Sequence, residues 1–180
     1  MAKHYRWRDA TGEGVQQVVL DRAPGQVSAE GVVIAPGFAA RFRLLMDQRW
    51  RTRRLSVAVL GQPGVLVLLA DGQGGWTDGE GASLPQLDGV VDVDIGMTPL
   101  TNTLPIRRLR TAVGKSVDLD MAYVTVPTLA VTRDPQRYTR LEERLWRYES
   151  RDSDFTRDIA VDEDGVVVDY PGLFSRVAGP

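Results

Sequence analysis

Apolar and polar positions alternate with a period of two along much of the chain. The pattern is plainest where Val91, Val93 and Ile95 interleave with Asp92 and Asp94, where Val117, Leu119 and Met121 interleave with Asp118 and Asp120, and where Val166 and Val168 interleave with Val167 and Asp169. A strand turns alternate side chains to opposite faces, so each segment predicts a strand with one dry and one wet face; a helix would scatter the same carboxylates around its axis. Turn chemistry separates the segments, as in Ala23-Pro24-Gly25, Gly61-Gln62-Pro63-Gly64, Asp71-Gly72-Gln73-Gly74-Gly75, Asp78-Gly79-Glu80-Gly81, Asp88-Gly89 and Asp162-Glu163-Asp164-Gly165. Residues 55–60 and 65–70 flank one such turn and predict a hairpin. Its second arm is apolar on both faces, which predicts a central position deep in the core.

Segment 137–149 admits two readings. Tyr138, Leu141, Leu145 and Tyr148, spaced 3, 4 and 3, fit a helical stripe. Yet the segment runs without a glycine stop into 155–161 and 166–170, which read as successive antiparallel strands. No composition shift, linker, charge block or internal repeat divides the chain, so one domain over 1–180 is expected.

Composition narrows the chemistry. A formal net charge of −2 over 180 residues supplies no basic field for nucleic acid or an anionic membrane. With no cysteine and a single histidine, His4, there is no material for disulfides, thiolate nucleophiles or Cys/His metal sites. A Ser/His/Asp triad would rest on His4 near the chain start, and no Gly-x-Ser-x-Gly elbow exists. Gly114-Lys115-Ser116 is not a phosphate loop, because Leu109 stands where that motif needs glycine. Neither cofactor nor metal is expected. The start of the chain has no apolar signal core, and the longest aliphatic run, 65–70, is far short of a membrane helix; the expected address is cytoplasmic, with no integral membrane segment. All but two of the 22 basic residues, Lys3 and Lys115, are arginine, which suits bidentate pairing with anions, although a codon bias gives the same excess.

Two places carry candidate chemistry. Asp92 and Asp94 sit at i and i+2 on a predicted strand, roughly 6.6 Å apart along the backbone. They can be read as the acid and base of a glycoside hydrolase, as hard-cation ligands together with Asp71, as the solvated face of an amphipathic strand, or as partners for Arg107 and Arg108 across a hairpin. Segment 98–109, Thr-Pro-Leu-Thr-Asn-Thr-Leu-Pro-Ile-Arg-Arg-Leu, reads as a proline-stiffened polar loop. If it is extended, Arg107 and Arg108 face opposite ways, one toward the aspartates and one toward a ligand. Trp7, Trp50, Trp76, Tyr123 and Tyr138 are candidate platforms for a sugar ring or walls of an acyl channel.

These residues carry a resemblance. Asp47-x-x-Trp50-Arg51-x-Arg53, Asp71-Gly72-x-Gly74-x-Trp76, Leu87-Asp88-Gly89-x-x-Asp92-Val93-Asp94, the block 98–109, Gln136-x-Tyr138 and Val161-Asp162-x-x-Gly165-x-Val167-x-Asp169-Tyr170-Pro171 resemble a bacterial family described as putative glycolipid-binding, once a domain of unknown function. The likeness spans nearly the whole chain, and 98–109 is its most specific part. It implies a mainly β protein: a curved antiparallel sheet, spiral β-roll or half-barrel, with few or no helices, a groove and no established catalysis. It also favours strand over helix at 137–149.

The expected partner is then a glycolipid or similar amphipathic small molecule. Its acyl part would lie on apolar strand faces, and its sugar would meet residues drawn from Trp50, Arg51, Arg53, Asp71, Trp76, Asp92, Asp94, Asn102, Arg107, Arg108 and Tyr138. A hydrolase working through Asp92 and Asp94 is one alternative, and a structural or protein-interaction module is another. Nothing in the residues demands an oligomer.

Overall fold

A computed structural model describes residues 2–177. In chain order the strands are β1 (Lys3–Asp9), β2 (Val15–Ala23), β3 (Gln26–Ala35), β4 (Phe38–Asp47), β5 (Thr52–Val59), β6 (Leu66–Ala70), β7 (Trp76–Asp78), β8 (Asp92–Ile95), β9 (Ser116–Val124), β10 (Val131–Glu142), β11 (Leu145–Ser150), β12 (Thr156–Val161), β13 (Val167–Tyr170) and β14 (Phe174–Arg176). Between β8 and β9 the chain forms a 3-10 turn, Pro99–Asn102, and a short helix α1, Thr103–Leu109. All fourteen strands belong to one sheet in the order β7-β6-β5-β4-β3-β2-β1-β14-β13-β12-β11-β10-β9-β8. Neighbours run antiparallel, except that β8 lies parallel to β9.

Period-two alternation builds most of this sheet. Along β4, Ala40, Phe42, Leu44 and Met46 point inward while Arg41 and Arg43 stay in water. Where facing side chains crowd, glycine makes room: a Cβ on Gly31 would collide with the Phe42 ring on the paired strand. The sheet curls so that β8 lies inside it, with all four residues buried. The amides of Val93 and Ile95 donate to the hydroxyls of Thr52 and Thr101, so side chains satisfy an edge that would otherwise bury unpaired donors. Leu100 and Leu104 then pack into the apolar cluster under β1–β7, whereas Ile106 packs into a second cluster under β10–β13. Segment 98–109 is thus the plug between the two halves of the roll.

The mainly β, curved-sheet expectation holds, and 137–149 is strand: the hairpin β10–β11, with Tyr138 opposite Tyr148. Four local expectations need correction. The 55–70 hairpin exists, but its second arm is the next-to-edge strand β6, where Leu68 alone is fully buried and Val65 is 51% exposed. In 166–169 Val166 is buried and Asp169 exposed as expected, but Val167 is buried and Val168 exposed, where a register shift in the β12–β13 pairing breaks the alternation. Asp92 and Asp94 are buried, since β8 is covered on both faces. Segment 98–109 is helical, not an extended loop. Pro99 and Pro105 fall in first turns, where an absent N–H costs nothing, and Thr98 caps by accepting from the Leu100 amide at 3.3 Å.

Candidate functional site

Parallel strand β8 and the plug fix a buried polar network. Asp92 accepts from Arg108 Nε at 3.1 and 3.0 Å and from Nη2 at 2.6 Å, a fork that fastens α1 to β8. Burial raises the Asp92 pKa, and the Arg108 guanidinium opposes that rise. Two residues on, Asp94 accepts from the Thr101 hydroxyl at 2.7 Å and from the Gln136 amide at 3.0 Å. The same Gln136 amide donates to Asp134 at 2.6 Å, so one NH₂ group bridges two carboxyls. Burial raises the pKa of both Asp94 and Asp134. Tyr138 completes the network by donating to Asn102 Oδ1 at 2.8 Å; buried, its phenol is pushed far up in pKa and stays a donor.

A cleft of about 380 Å³ opens beside this network. Asp94, Asn102 and Thr98 form its inner wall, and Asp134, Asp152, Tyr123, Tyr148 and Tyr170 line the rest. Tyr148, Phe155 and Tyr170 stand 5.9 to 6.5 Å apart, centroid to centroid, as an aromatic cluster. The hydroxyls of Tyr123, Tyr148 and Tyr170 have no protein partner among the described residues. Carboxylate acceptors, unpaired phenols and ring faces in one hollow are the groups that recognise a polyol.

A second hollow, about 270 Å³ and mostly apolar, is walled by Val15, Val33, Ala35, Phe38 and Met97. Both hollows include Gly96, Leu173 and Phe174, so they meet along a shared border. Tyr123 leans over Gly96 so closely that a Cβ there would strike its hydroxyl, which makes glycine the residue that keeps this border open.

On the other side of the plug, with no lining residue in common, lies a third cleft of about 690 Å³. Trp50, Arg51, Arg107 and Arg108 line it. Trp50 reaches its place through a left-handed backbone (φ 65°), a conformation strained for a large side chain. The turn is held by Asp47, which accepts from the amides of Arg49 and Arg51 at 2.8 and 3.1 Å and from Arg51 Nε at 2.7 Å. Burial pushes the Asp47 pKa up, but these donors hold it below the usual carboxylate value.

The expected site residues therefore divide. Asp94 and Asn102 meet in the polar cleft, and Trp50, Arg51, Arg107 and Arg108 in the arginine cleft. Asp92, Trp76 and Tyr138 line none of these clefts; the Trp76 indole donates to the Val90 carbonyl at 2.7 Å inside the core. Asp71 holds its own turn through the Gln73 and Gly75 amides, which lower its pKa, and Arg53 lies against Gly72 of that turn. Because Asp92 is sealed against Arg108, only one carboxyl of the expected acid/base pair faces a cleft. Among the described residues no group of three or more His, Asp or Glu is placed to hold a metal ion, and no helix is long and apolar enough to cross a membrane. Asp134, Tyr148, Asp152 and Tyr170 were not foreseen. The strand reading of 137–149, taken as a hairpin, pairs Tyr138 with Tyr148 and is the signal for Tyr148.

An open sheet rolled around one inward strand, with clefts on both sides of a helical plug, defines a β-roll scaffold suited to binding. The chain belongs to the family described as "Putative glycolipid-binding", whose model matches residues 4–176. A crystal structure of a DUF1089 family protein from Pseudomonas aeruginosa is similar, with 37% sequence identity and a TM-score of 0.80 over 90% of this chain and 92% of that one. Curated proteins give no match.

Proposed function

We propose that the chain binds an amphipathic small molecule of the glycolipid type, without turning it over, in the two-part cleft beside β8. The observation that carries this reading is the shared border at Gly96, Leu173 and Phe174 between a polar, aromatic hollow and an apolar one. A sugar head set against Asp94, Asp134 and the unpaired phenols would direct its aglycone across Gly96 toward Phe38 and Met97. Each Å² of apolar surface the tail loses to the protein contributes about 25 cal/mol. The family's description points to the same ligand class.

Octyl glucoside below its micelle concentration, glucose alone and octanol alone separate head from tail. Octyl glucoside is expected to raise the melting temperature well beyond the sum of the two fragments, because binding to the folded state alone stabilises it. Phe38→Asp should abolish the gain from the tail, and Asp134→Asn the gain from the head. Equal responses to all three probes, or none, would sink the reading, and release of glucose would overturn its non-catalytic part.

A further inference from the structure

The arginine cleft is separate from that site and carries cations the fold does not neutralise. Arg108 and Arg51 are paired with Asp92 and Asp47. Arg140 is different: its three donor nitrogens meet only backbone carbonyls, those of Thr111 at 3.0 Å, Glu143 at 3.0 Å and Glu142 at 3.4 Å, so it is held in place while its charge stays uncompensated. It lies 5.6 Å from the centroid of the Trp146 ring. Arg107 has no hydrogen-bond or ion-pair partner among the described residues. Its guanidinium stands 5.5 Å from the Trp50 ring centroid, Arg22 stands 5.2 Å from the same ring, and its stem lies on Gly165, where a Cβ would come within 3.0 Å. Arg49 and Arg110 also line the cleft and have no ion-pair partner among the described residues.

Against these stand Glu143 and Glu163, both exposed, and Asp162, which is already paired with Arg176 at 2.6 Å. Burial and the neighbouring Arg22 lower the Arg107 pKa; Asp164, itself paired with Lys3 and Arg22, and Asp162 oppose the shift without reversing it. Guanidinium groups lie over both indoles, Arg22 and Arg107 over Trp50 and Arg140 over Trp146, so an incoming ligand would meet planar donor forks beside the rings.

We infer that this cleft is a second binding site, for a phosphate-bearing small molecule, with Arg107 and Arg140 as the principal contacts. One phosphate presents several oxygens in the geometry a guanidinium fork matches, and it carries enough charge to answer more than one arginine. A soluble phosphate ester and a phosphorylated lipid head group share that chemistry.

The test is calorimetric titration of the full chain with inorganic pyrophosphate and with glucose 6-phosphate, beside sedimentation with phosphatidylcholine vesicles with and without phosphatidic acid. Binding is expected to weaken steeply with added salt. Arg107→Gln and Arg140→Gln should each weaken it at least about tenfold, while Arg147→Gln, which removes the same charge from an exposed pair with Asp158, should change it by less than about twofold. Melting curves establish that each variant is folded, and the octyl glucoside response should survive in both cleft variants, so the two sites succeed or fail separately. Binding of the soluble probes alone identifies a phosphate ester, and binding of the acidic vesicles alone identifies a lipid head group. No binding of any probe at millimolar concentration, binding indifferent to both cleft substitutions, or an equal loss in Arg147→Gln would overturn the inference.

Discussion

The Asp94 carboxyl is held by a hydroxyl and an amide, with no cation against it and Asp134 close by. Its pKa in the fold lies above that of the unfolded chain, so the folded state binds its proton more tightly. The stability gained in this way is complete below the ordinary carboxylate pKa near 4 and is lost as pH rises through the folded value. Asp134 acts with the same sign. Asp94→Asn removes the titration, so the stability of the native protein relative to this variant should decline as pH rises from about 4 to about 8. Urea unfolding along that series is the check, and a flat or rising difference would refute it. The pairing of Asp92 with Arg108 was among the readings the sequence offered, but the burial of Asp94 was not legible locally: alternation with valines resembles a wet strand face, and Gln136, which overturns that reading, lies 42 residues away.

Segment 98–109 stood out in the sequence for the right reason but with the wrong shape. Its two prolines read as loop stiffeners, whereas Pro99 starts the 3-10 turn and Pro105 sits in the first turn of α1. The Arg108 fork on Asp92 is what anchors α1 to β8, and Asp92 is fully buried. Arg108→Ala should therefore cost about 3–5 kcal/mol, because it strands a buried carboxyl, while Asp92→Leu combined with Arg108→Met should recover most of that loss. Denaturant midpoints of the three proteins decide this. The 137–149 stripe left helix and strand both open, because side chains at spacings of 3 and 4 are also what a hairpin shows when a turn and a register shift near Arg140/Glu142 interrupt its period of two.

The sheet is open, yet its two ends are fastened without a ladder between them. The Gly89 amide donates to the Gly74 carbonyl at 3.0 Å, and the Trp76 indole to Val90. Gly74 has φ 110°, and a Cβ there would fall 2.7 Å from Gly89 Cα. Gly74→Ala should part the two ends at a cost of about 1–3 kcal/mol, with faster hydrogen exchange at the Gly89 amide. Alternation and turn positions were legible along the chain, and the curl only through the family resemblance. The clefts were not, because each collects side chains from strands that only the completed roll brings together.

The seam at the middle of the sheet has a kinetic consequence. There β1 pairs with β14, Trp7 opposite Arg176 and Asp9 opposite Phe174, although the two strands lie at opposite ends of the chain order. During translation β1 emerges well before β14 and must wait for it with one edge unmated; its exposed Lys3, Arg6 and Arg8 deter stray partners in the interval. Phe174 belongs to that late strand and to the border of both hollows. The border shared by the two hollows is thus complete only once β14 has paired with β1, so nothing that needs both hollows can guide the earlier steps of folding.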